Sequence, residues 1–251
     1  INHRVLFRQR WGYKRGKQDA AKFLKYEDEV VEPIYQALKE ELVDKDIFDP
    51  IAIYAYYPCI SWDNKIYIFD KKYLYNSLEE AKNVPPLSEA IKVLEFPRQK
   101  RKPFRCIADF FANDRLDVIA FTLASAGLKI SDYERSLYDK GEFAKYYQVH
   151  GLGVELAEAL AEVLHKQIRL DLDIVPKEGH TLNDVQMKQY VGCRYSPGYA
   201  ACPDLAMNRD IFDLLNPEEF GIELSETFQM HPEQTTCAIV VTHKEANYYN
   251  I

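Results

Sequence analysis

The chain has 251 residues, of which 47% are hydrophobic, and its 39 acidic and 32 basic residues give a formal net charge of −7 at pH 7. A chain of this size can bury a sizeable core, and its acidic balance argues against a nucleic-acid partner. We interpret the local basic cluster Arg98–Lys102 as a solvated loop. No apolar run is long enough to cross a bilayer and no secretory signal begins the chain, so we expect no membrane association and a cytoplasmic location.

The cysteines and histidines do not indicate a metal site. The five cysteines are scattered and contain no Cys-x-x-Cys pair, so we expect reduced, mostly buried thiols rather than disulfides or a zinc site. The six histidines, which include His165 and His180, do not cluster either. The chain begins at Ile1 rather than at a methionine, which fits a piece of a longer polypeptide, although a stand-alone protein stays open.

The first seventy residues predict helices followed by a hairpin. Apolar spacing predicts a short helix ending near Gly12 and a second helical segment over residues 19–45, in which Pro33 is either a kink or the first turn of a new helix. The β-rich runs at 51–57 and 65–69 are separated by Pro58 and a polar turn, which is a hairpin signal.

The middle of the chain predicts a central strand and a long helix. Residues 88–94 form a candidate short helix, 117–124 read as a central strand, and 106–111 are expected to pair beside it. The strongest helical pattern covers residues 132–170, with a possible break into two helices near residues 151–153.

One face of that helix carries a polar stripe. Its members recur three or four residues apart and are Glu155, Glu158, Glu162, His165 and Arg169. On spacing alone, this stripe favours a solvated face with local ion pairs.

The end of the chain returns to strands, at 236–242 and in the candidate segment 225–230. Strands and helices that do not alternate regularly indicate an α+β fold with a largely antiparallel sheet. No linker rich in glycine, serine and proline divides the pattern, so a single domain over residues 1–251 is expected.

The stretch from Arg194 to Pro203 has the composition of a ligand-binding turn. An arginine presents a planar fork of donors that suits a carboxylate or a phosphate, and tyrosines offer flat faces to a heterocycle or a cation. Proline and glycine allow a sharp bend, and alanine leaves room for a bound molecule. The candidate binding residues of this stretch are Arg194, Tyr195, Pro197, Gly198, Tyr199 and Ala200. Considered alone, the segment favours an ordinary turn whose arginine pairs with a neighbouring acid.

The residues around this turn, 190–204, resemble the R-x-x-P-G-Y-x-A-C-P segment of the activation domain of cobalamin-dependent methionine synthase. Four further segments resemble that family in the same order, namely Cys106–Phe110, Leu156–His165, Leu224–Met230 and His243–Tyr249. The resemblance is therefore stronger over residues 101–251 and weaker over 1–100.

The resemblance implies a C-shaped α+β domain with a bent, largely antiparallel sheet flanked by helices. It also implies binding of S-adenosyl-L-methionine and support for reductive methylation of cob(II)alamin, with the cobalamin held in trans on a corrinoid-binding domain and a flavodoxin-type protein as electron donor. No catalytic side chain is implied, because the sulfonium methyl group is already activated and the protein mainly positions it.

The same resemblance implies roles for individual residues. Arg194 matches the arginine expected to hold the carboxylate of the cofactor, and Glu158 matches a glutamate suited to an ammonium or hydroxyl group. Tyr248 and Tyr249 match tyrosines near the binding groove. Two positions complete the set: Tyr199 matches a tyrosine that reaches toward the corrin, and Asn2 stands where the family has an aspartate.

Another class of function stays open. A non-enzymatic S-adenosylmethionine sensor, or a scaffold derived from the same domain, would show the same segments. The corrinoid-binding signature Asp-x-His-x-x-Gly is missing from this chain, so the chain by itself is not expected to carry a cobalamin.

Overall fold

A computed structural model describes residues 1–174 and 189–251 of the chain, and one of the six histidines, His180, lies outside these ranges. The strands are β1 (Ile51–Trp62), β2 (Lys65–Ile68), β3 (Lys92–Glu95), β4 (Asp117–Ser125), β5 (Cys193–Tyr195), β6 (Glu223–Leu224), β7 (Met230–His231) and β8 (Thr235–Val241). The helices are α1 (His3–Val5), α2 (Ala20–Tyr26), α3 (Glu32–Asp44), α4 (Leu78–Ala81), α5 (Leu128–Asp139), α6 (Phe143–Asp171) and α7 (Met207–Leu215).

Six strands form one sheet in the order β3-β2-β1-β4-β8-β5, and every neighbouring pair is antiparallel. The sheet curls into a half-barrel flanked by helices, which confirms the predicted α+β class with a bent, largely antiparallel sheet. The central strands β4 and β8 are buried along almost their whole length. Their continuous apolar sequence follows from this position, because both of their faces are covered.

Strand β1 continues through Pro58, where the sequence had suggested a turn. The carbonyl of Pro58 accepts a hydrogen bond from Phe69 on the β2 side, and the β1–β2 ladder begins only at Cys59 and Ile68. In an antiparallel strand the nitrogen and carbonyl of a residue point to the same side. The proline nitrogen therefore points past the end of β2, where no donor is required.

The N-terminal helical segments both contain a π-helical turn. Helix α1 runs into such a turn at Leu6–Arg10 and ends at Trp11, followed by Gly12 with a φ of 78°, as predicted. Helices α2 and α3 are joined without a break by a second π-helical turn at Glu27–Val31. Proline lacks an N–H and its ring clashes with the preceding turn of an α-helix. The wider turn just before Pro33 lets the helix continue past it.

Two short segments differ from their predictions. Residues 88–94 do not form a helix. Instead, a 3₁₀ turn (Leu87–Glu89) is followed by strand β3. The segment at 106–111 is a 3₁₀ turn (Ile107–Phe110) rather than a strand beside β4. In the second case the backbone N–H of Cys106 donates to the Asp109 carboxylate at 3.0 Å, and this local bond competes with pairing in a sheet.

The long helical pattern breaks at a different place from the one predicted. Helix α5 ends and α6 begins around Gly141, which has a φ of 76°, whereas Gly151 and Gly153 lie inside α6. A β-carbon at Gly151 would lie 2.9 Å from Trp11, and one at Gly153 would lie 2.8 Å from Ile130. The absence of side chains there allows the π-helical turn at Leu6–Arg10, and α5, to pack closely against α6. Helix α6 itself lies across β1, β4 and β8.

In the described part of the chain, no helix is both long enough and apolar enough to cross a membrane. The five cysteines are buried free thiols, as expected.

The close approach of the chain just before β5 to the end of β8 makes a testable demand on Gly192. Its φ is 94°, and a β-carbon there would lie 2.6 Å from the carbonyl oxygen of Val241. Gly192→Ala should therefore lose about 1–2 kcal/mol through the left-handed backbone and roughly 1–3 kcal/mol more through the clash. Urea unfolding would measure the loss.

The matched control is Gly141→Ala, because Gly141 has a similar φ of 76° but nothing within 4 Å of its β-carbon position. This variant should show the backbone cost without the clash. Equal losses in the two variants would mean that the contact with Val241 does not matter.

Candidate functional site

A groove of about 720 Å³ lies where five separate parts of the chain meet. Its walls come from the end of α1, from α6, from β5 with the turn after it, from the start of β8 and from the C-terminal segment. Seven of the ten predicted site residues line this groove. They are Glu158, Arg194, Tyr195, Tyr199, Ala200, Tyr248 and Tyr249.

The other three predicted residues lie beside the groove rather than in its lining. Pro197 is buried, and Gly198 has a φ of 89° and donates its N–H to the carbonyl of Cys202 at 2.8 Å. These two residues shape the turn that carries Tyr199. Asn2 caps the first helix, where its side-chain oxygen accepts a hydrogen bond from the N–H of Val5 at 3.3 Å.

Arg194 occupies one wall of the groove and is already paired there. Its Nη2 donates to Oε1 of Glu162 at 2.8 Å, and its Nη1 lies 3.5 Å from Nδ1 of His165. The arginine side chain is 11% exposed, so this ion pair is screened much less by water than a surface pair would be. The pair joins β5 to α6.

A second arginine lies under the same wall. Arg169 is 1% exposed, and its guanidinium carbon lies 4.1 Å from the centre of the Tyr190 ring. Its Nε and Nη1 have no hydrogen-bond partner among the described residues. The Tyr190 hydroxyl lies 3.1 Å from both oxygens of Glu162. One carboxylate therefore stands among two guanidinium groups.

His165 is the neutral member of this cluster. Burial, together with the charges of Arg194 and Arg169, lowers its pKa from 6.5 to about 2. The ring packs edge-on against Tyr190 with centroids 5.1 Å apart. A neutral imidazole here avoids adding a third positive charge to the cluster.

Three tyrosines contribute aromatic rings to the groove lining. The Tyr195 hydroxyl donates to the carbonyl of Asn247 at 2.7 Å, and its ring lies 6.1 Å from that of Tyr248 and 6.2 Å from that of Tyr249. Tyr249 is buried, and its hydroxyl has no partner within residues 1–174 and 189–251. An unpaired buried hydroxyl is costly to stability.

The basic loop after β3 holds this tyrosine segment in place. The side chain of Gln99 donates to the carbonyl of Asn250 at 2.6 Å, and Arg105 donates to the side-chain oxygen of Asn247 at 3.0 Å. The loop was interpreted from the sequence as solvated. Its cations at positions 100–102 are exposed, and its flanking residues also brace the C-terminal segment.

Arg10 supplies a further cation to the groove. Its Nε is buried without a hydrogen-bond partner among the described side chains and backbone, and it lies 3.8 Å from Oε2 of Glu155. Burial raises the pKa of Glu155, and the charge of Arg10 partly offsets this. The 3.8 Å separation is too long for a hydrogen bond between these two groups.

The polar stripe on α6 is not the solvated face that its spacing favoured. Glu155 is 5% exposed, and His165 and Arg169 are almost completely buried. The stripe faces β5, the first helix and the groove. Spacing alone could not show this, because the elements that cover the stripe come from distant parts of the chain.

Sequence reasoning missed seven lining residues. They are Gln9, Arg10, Ser196, Ala201, Cys202, Thr236 and Asn250. Ser196, Ala201 and Cys202 lie within the turn that had been singled out, so their position was a usable signal. Gln9 and Thr236 gave no such signal, because both are far from the turn in the sequence and only the fold brings them close to it.

Among residues 1–174 and 189–251, no group of three or more histidine, cysteine or acidic side chains could hold a metal ion. The groove instead combines donors, one acceptor carboxylate and aromatic faces. Such a combination suits a small molecule that has both a charged polar end and a flat ring. The fold and the site thus define an α+β domain with a groove suited to a small organic ligand.

The comparison with family models identifies the domain further. Residues 4–251 match the model of the vitamin B12 dependent methionine synthase activation domain, and the chain belongs to that family. It is 35% identical over 271 residues to the methionine synthase of Mycobacterium tuberculosis and 34% identical over 268 residues to that of Mycobacterium leprae. Each alignment covers 100% of this chain and 21% of the relative, so the chain spans about a fifth of these proteins.

The fold also matches a solved structure. The crystal structure of the MetH reactivation domain bound to AdoHcy superposes with a TM-score of 0.76 at 25% sequence identity. The match covers 90% of this chain and 70% of that one.

The neutral state of His165 gives a pH-dependent stability. The unfolded chain takes up a proton near pH 6.5 that the folded chain does not accept until about pH 2. The stability that this ring contributes is therefore complete above pH 6.5 and is lost as the pH falls below it. Between about pH 7.5 and pH 5 the unfolding free energy of the wild type should fall by about 2 kcal/mol more than that of His165→Gln.

Urea unfolding of both proteins across this pH range would measure the difference. The subtraction removes the contributions of groups that titrate elsewhere in the chain, such as Glu134. Parallel curves for the two proteins would contradict a neutral, buried His165.

Proposed function

We propose that this chain binds S-adenosylmethionine and S-adenosylhomocysteine in the groove and serves as the activation module of a longer cobalamin-dependent methionine synthase. The observation that carries the proposal is the largely buried Arg194 of β5, which lines a groove with aromatic walls. A solved structure with the same fold is bound to AdoHcy. The proposal treats residues 1–251 as one functional unit.

The residues of the groove fit this ligand. Arg194 is suited to the carboxylate of the amino-acid end, and Glu158 to its ammonium group or to the ribose hydroxyls. The tyrosine faces suit an adenine ring or a sulfonium group. Arg10 adds a cation to the groove lining, and Tyr249 adds an aromatic ring. The volume of about 720 Å³ lies within the usual range for such ligands.

The residues beside the groove have indirect roles in this proposal. Pro197 and Gly198 fix the turn that presents Tyr199 and Ala200. Asn2 acts through the helix that it caps, because that helix leads to Gln9 and Arg10 in the groove wall.

The proposed reaction needs partners outside this chain. An electron from a flavodoxin-type donor would reduce cob(II)alamin on a corrinoid-binding domain, and the cobalt would then take the methyl cation of S-adenosylmethionine, which leaves as S-adenosylhomocysteine. The role of this chain is to hold the donor with its methyl group facing the corrin and to keep water from the groove.

The first test is Arg194→Ala. Loss of a hydrogen bond to a charged group should weaken S-adenosylhomocysteine binding by roughly 1.5–3 kcal/mol, or about 10-fold to 150-fold. Isothermal titration calorimetry would measure the change. Arg209→Ala is the matched control, because Arg209 is 45% exposed and pairs with Glu218 away from the groove lining.

A folded Arg194→Ala variant that binds as tightly as the wild type would contradict the assignment of the carboxylate to this arginine. If the wild type itself showed neither heat nor a thermal shift at millimolar ligand, the proposed function would be wrong.

The second test separates ligand binding from docking. Tyr199 lines the groove but is 71% exposed, so most of its ring is available to a partner domain. Tyr199→Ala should leave S-adenosylhomocysteine affinity within about threefold, since an exposed contact contributes little, and should slow methylation of a supplied corrinoid domain by at least about tenfold.

Phe220→Ala serves as the control for the loss of an exposed aromatic ring, because Phe220 is 51% exposed and does not line the groove. Equal losses of affinity and of methylation in Tyr199→Ala would place this tyrosine in the ligand site instead. Ligand binding without any methylation of the corrinoid domain by the wild type would favour a sensor over an activation module.

A further inference from the structure

The wall behind Arg194 is built to hold its guanidinium group in one place. Glu162 and His165 lie on the same 29-residue helix, α6, which packs across the central strands. Arg194 lies in β5, at the edge of the sheet beside β8. The Arg194–Glu162 bond of 2.8 Å therefore connects two rigid elements rather than two mobile side chains on the surface.

We propose that Glu162 is a positioning residue that presents Arg194 to the carboxylate of the bound ligand. This inference rests on the proposed function and adds to it a residue that does not line the groove. The contact between Glu162 and Tyr190 completes the arrangement, since the tyrosine hydroxyl lies 3.1 Å from each carboxylate oxygen.

Positioning matters here because an arginine side chain has many rotamers. A free arginine would have to be immobilised each time a ligand binds, and that cost reduces affinity. In this structure Nη2 of Arg194 is already bonded and Nη1 lies near His165, so the plane of the guanidinium is set before the ligand arrives. The fork can then meet a carboxylate in a fixed orientation.

Glu162 could instead compete with the ligand carboxylate for Arg194. The charge balance argues against this. Arg169 lies close enough to act on both His165 and Arg194, so the cluster contains two guanidinium groups and one carboxylate. One net positive charge is left after Glu162 is counted. Glu162 thus orients Arg194 without neutralising the wall that receives an anion.

The test compares two substitutions and two ligands in the full 251-residue chain. S-adenosylhomocysteine has the amino-acid carboxylate, whereas 5′-methylthioadenosine has the same adenosine and thioether without it. Glu162→Ala should weaken binding of S-adenosylhomocysteine about tenfold and leave 5′-methylthioadenosine within about twofold. Glu162→Gln should stay within about threefold for both ligands, because its amide oxygen still accepts from Nη2.

Glu218→Ala is the matched control, since it removes the acidic partner of an exposed ion pair and should change neither affinity. If Glu162→Ala does not fold, Tyr190→Phe becomes the decisive variant, and it should weaken S-adenosylhomocysteine about threefold without affecting 5′-methylthioadenosine.

Several outcomes would overturn the inference. Equal weakening of both ligands would show a merely structural role. Unchanged or tighter binding of S-adenosylhomocysteine to Glu162→Ala would show that the glutamate competes with the ligand. A Glu162→Gln variant as weak as Glu162→Ala would show that charge rather than placement matters. Wild-type protein that binds neither ligand would overturn the proposed function itself, and this inference with it.

Discussion

The contact between α6 and β5 is the constraint on which the site depends. Arg194 and Glu162 form an ion pair between these elements, and the fully buried ring of His165 lies beside it. The contact is possible because Gly192 has no side chain where the chain approaches both Val241 and His165. A residue without a side chain just before β5 thereby permits charged side chains to be buried between β5 and α6.

This arrangement combines stability and binding in a single cluster. Burying a charge is costly unless it is paired. Arg194 is paired with Glu162, whose charge also acts on Arg169. Because His165 stays neutral, the excess positive charge of this cluster is limited to one. A ligand with a carboxylate can supply the negative charge that the protein's own side chains do not provide. Binding of such a ligand would therefore stabilise the folded protein.

The groove is assembled from segments that lie far apart in the chain. Arg10 comes from the N-terminal helix and Tyr249 from the C-terminal segment, with Glu158 contributed by α6 between them. Each of these segments is held by its own contacts. Gln99 and Arg105 brace the C-terminal segment, and Trp11 donates its ring N–H to the carbonyl of Gln148 at 2.9 Å beside the N-terminal helix. A ligand bound in the groove would contact all of these segments at once.

The sequence by itself determined the fold class, the strand at 117–124 and the Pro-Gly turn that follows Arg194, because alternation, apolar runs and Pro-Gly chemistry act over a few residues. Only the tertiary structure decided that the polar stripe on α6 is buried and that Arg10 faces the groove. It also moved the helix break to Gly141, since Gly151 is needed for packing against Trp11 rather than for a turn. Burial depends on which distant segments cover a surface, and local patterns contain no record of those contacts.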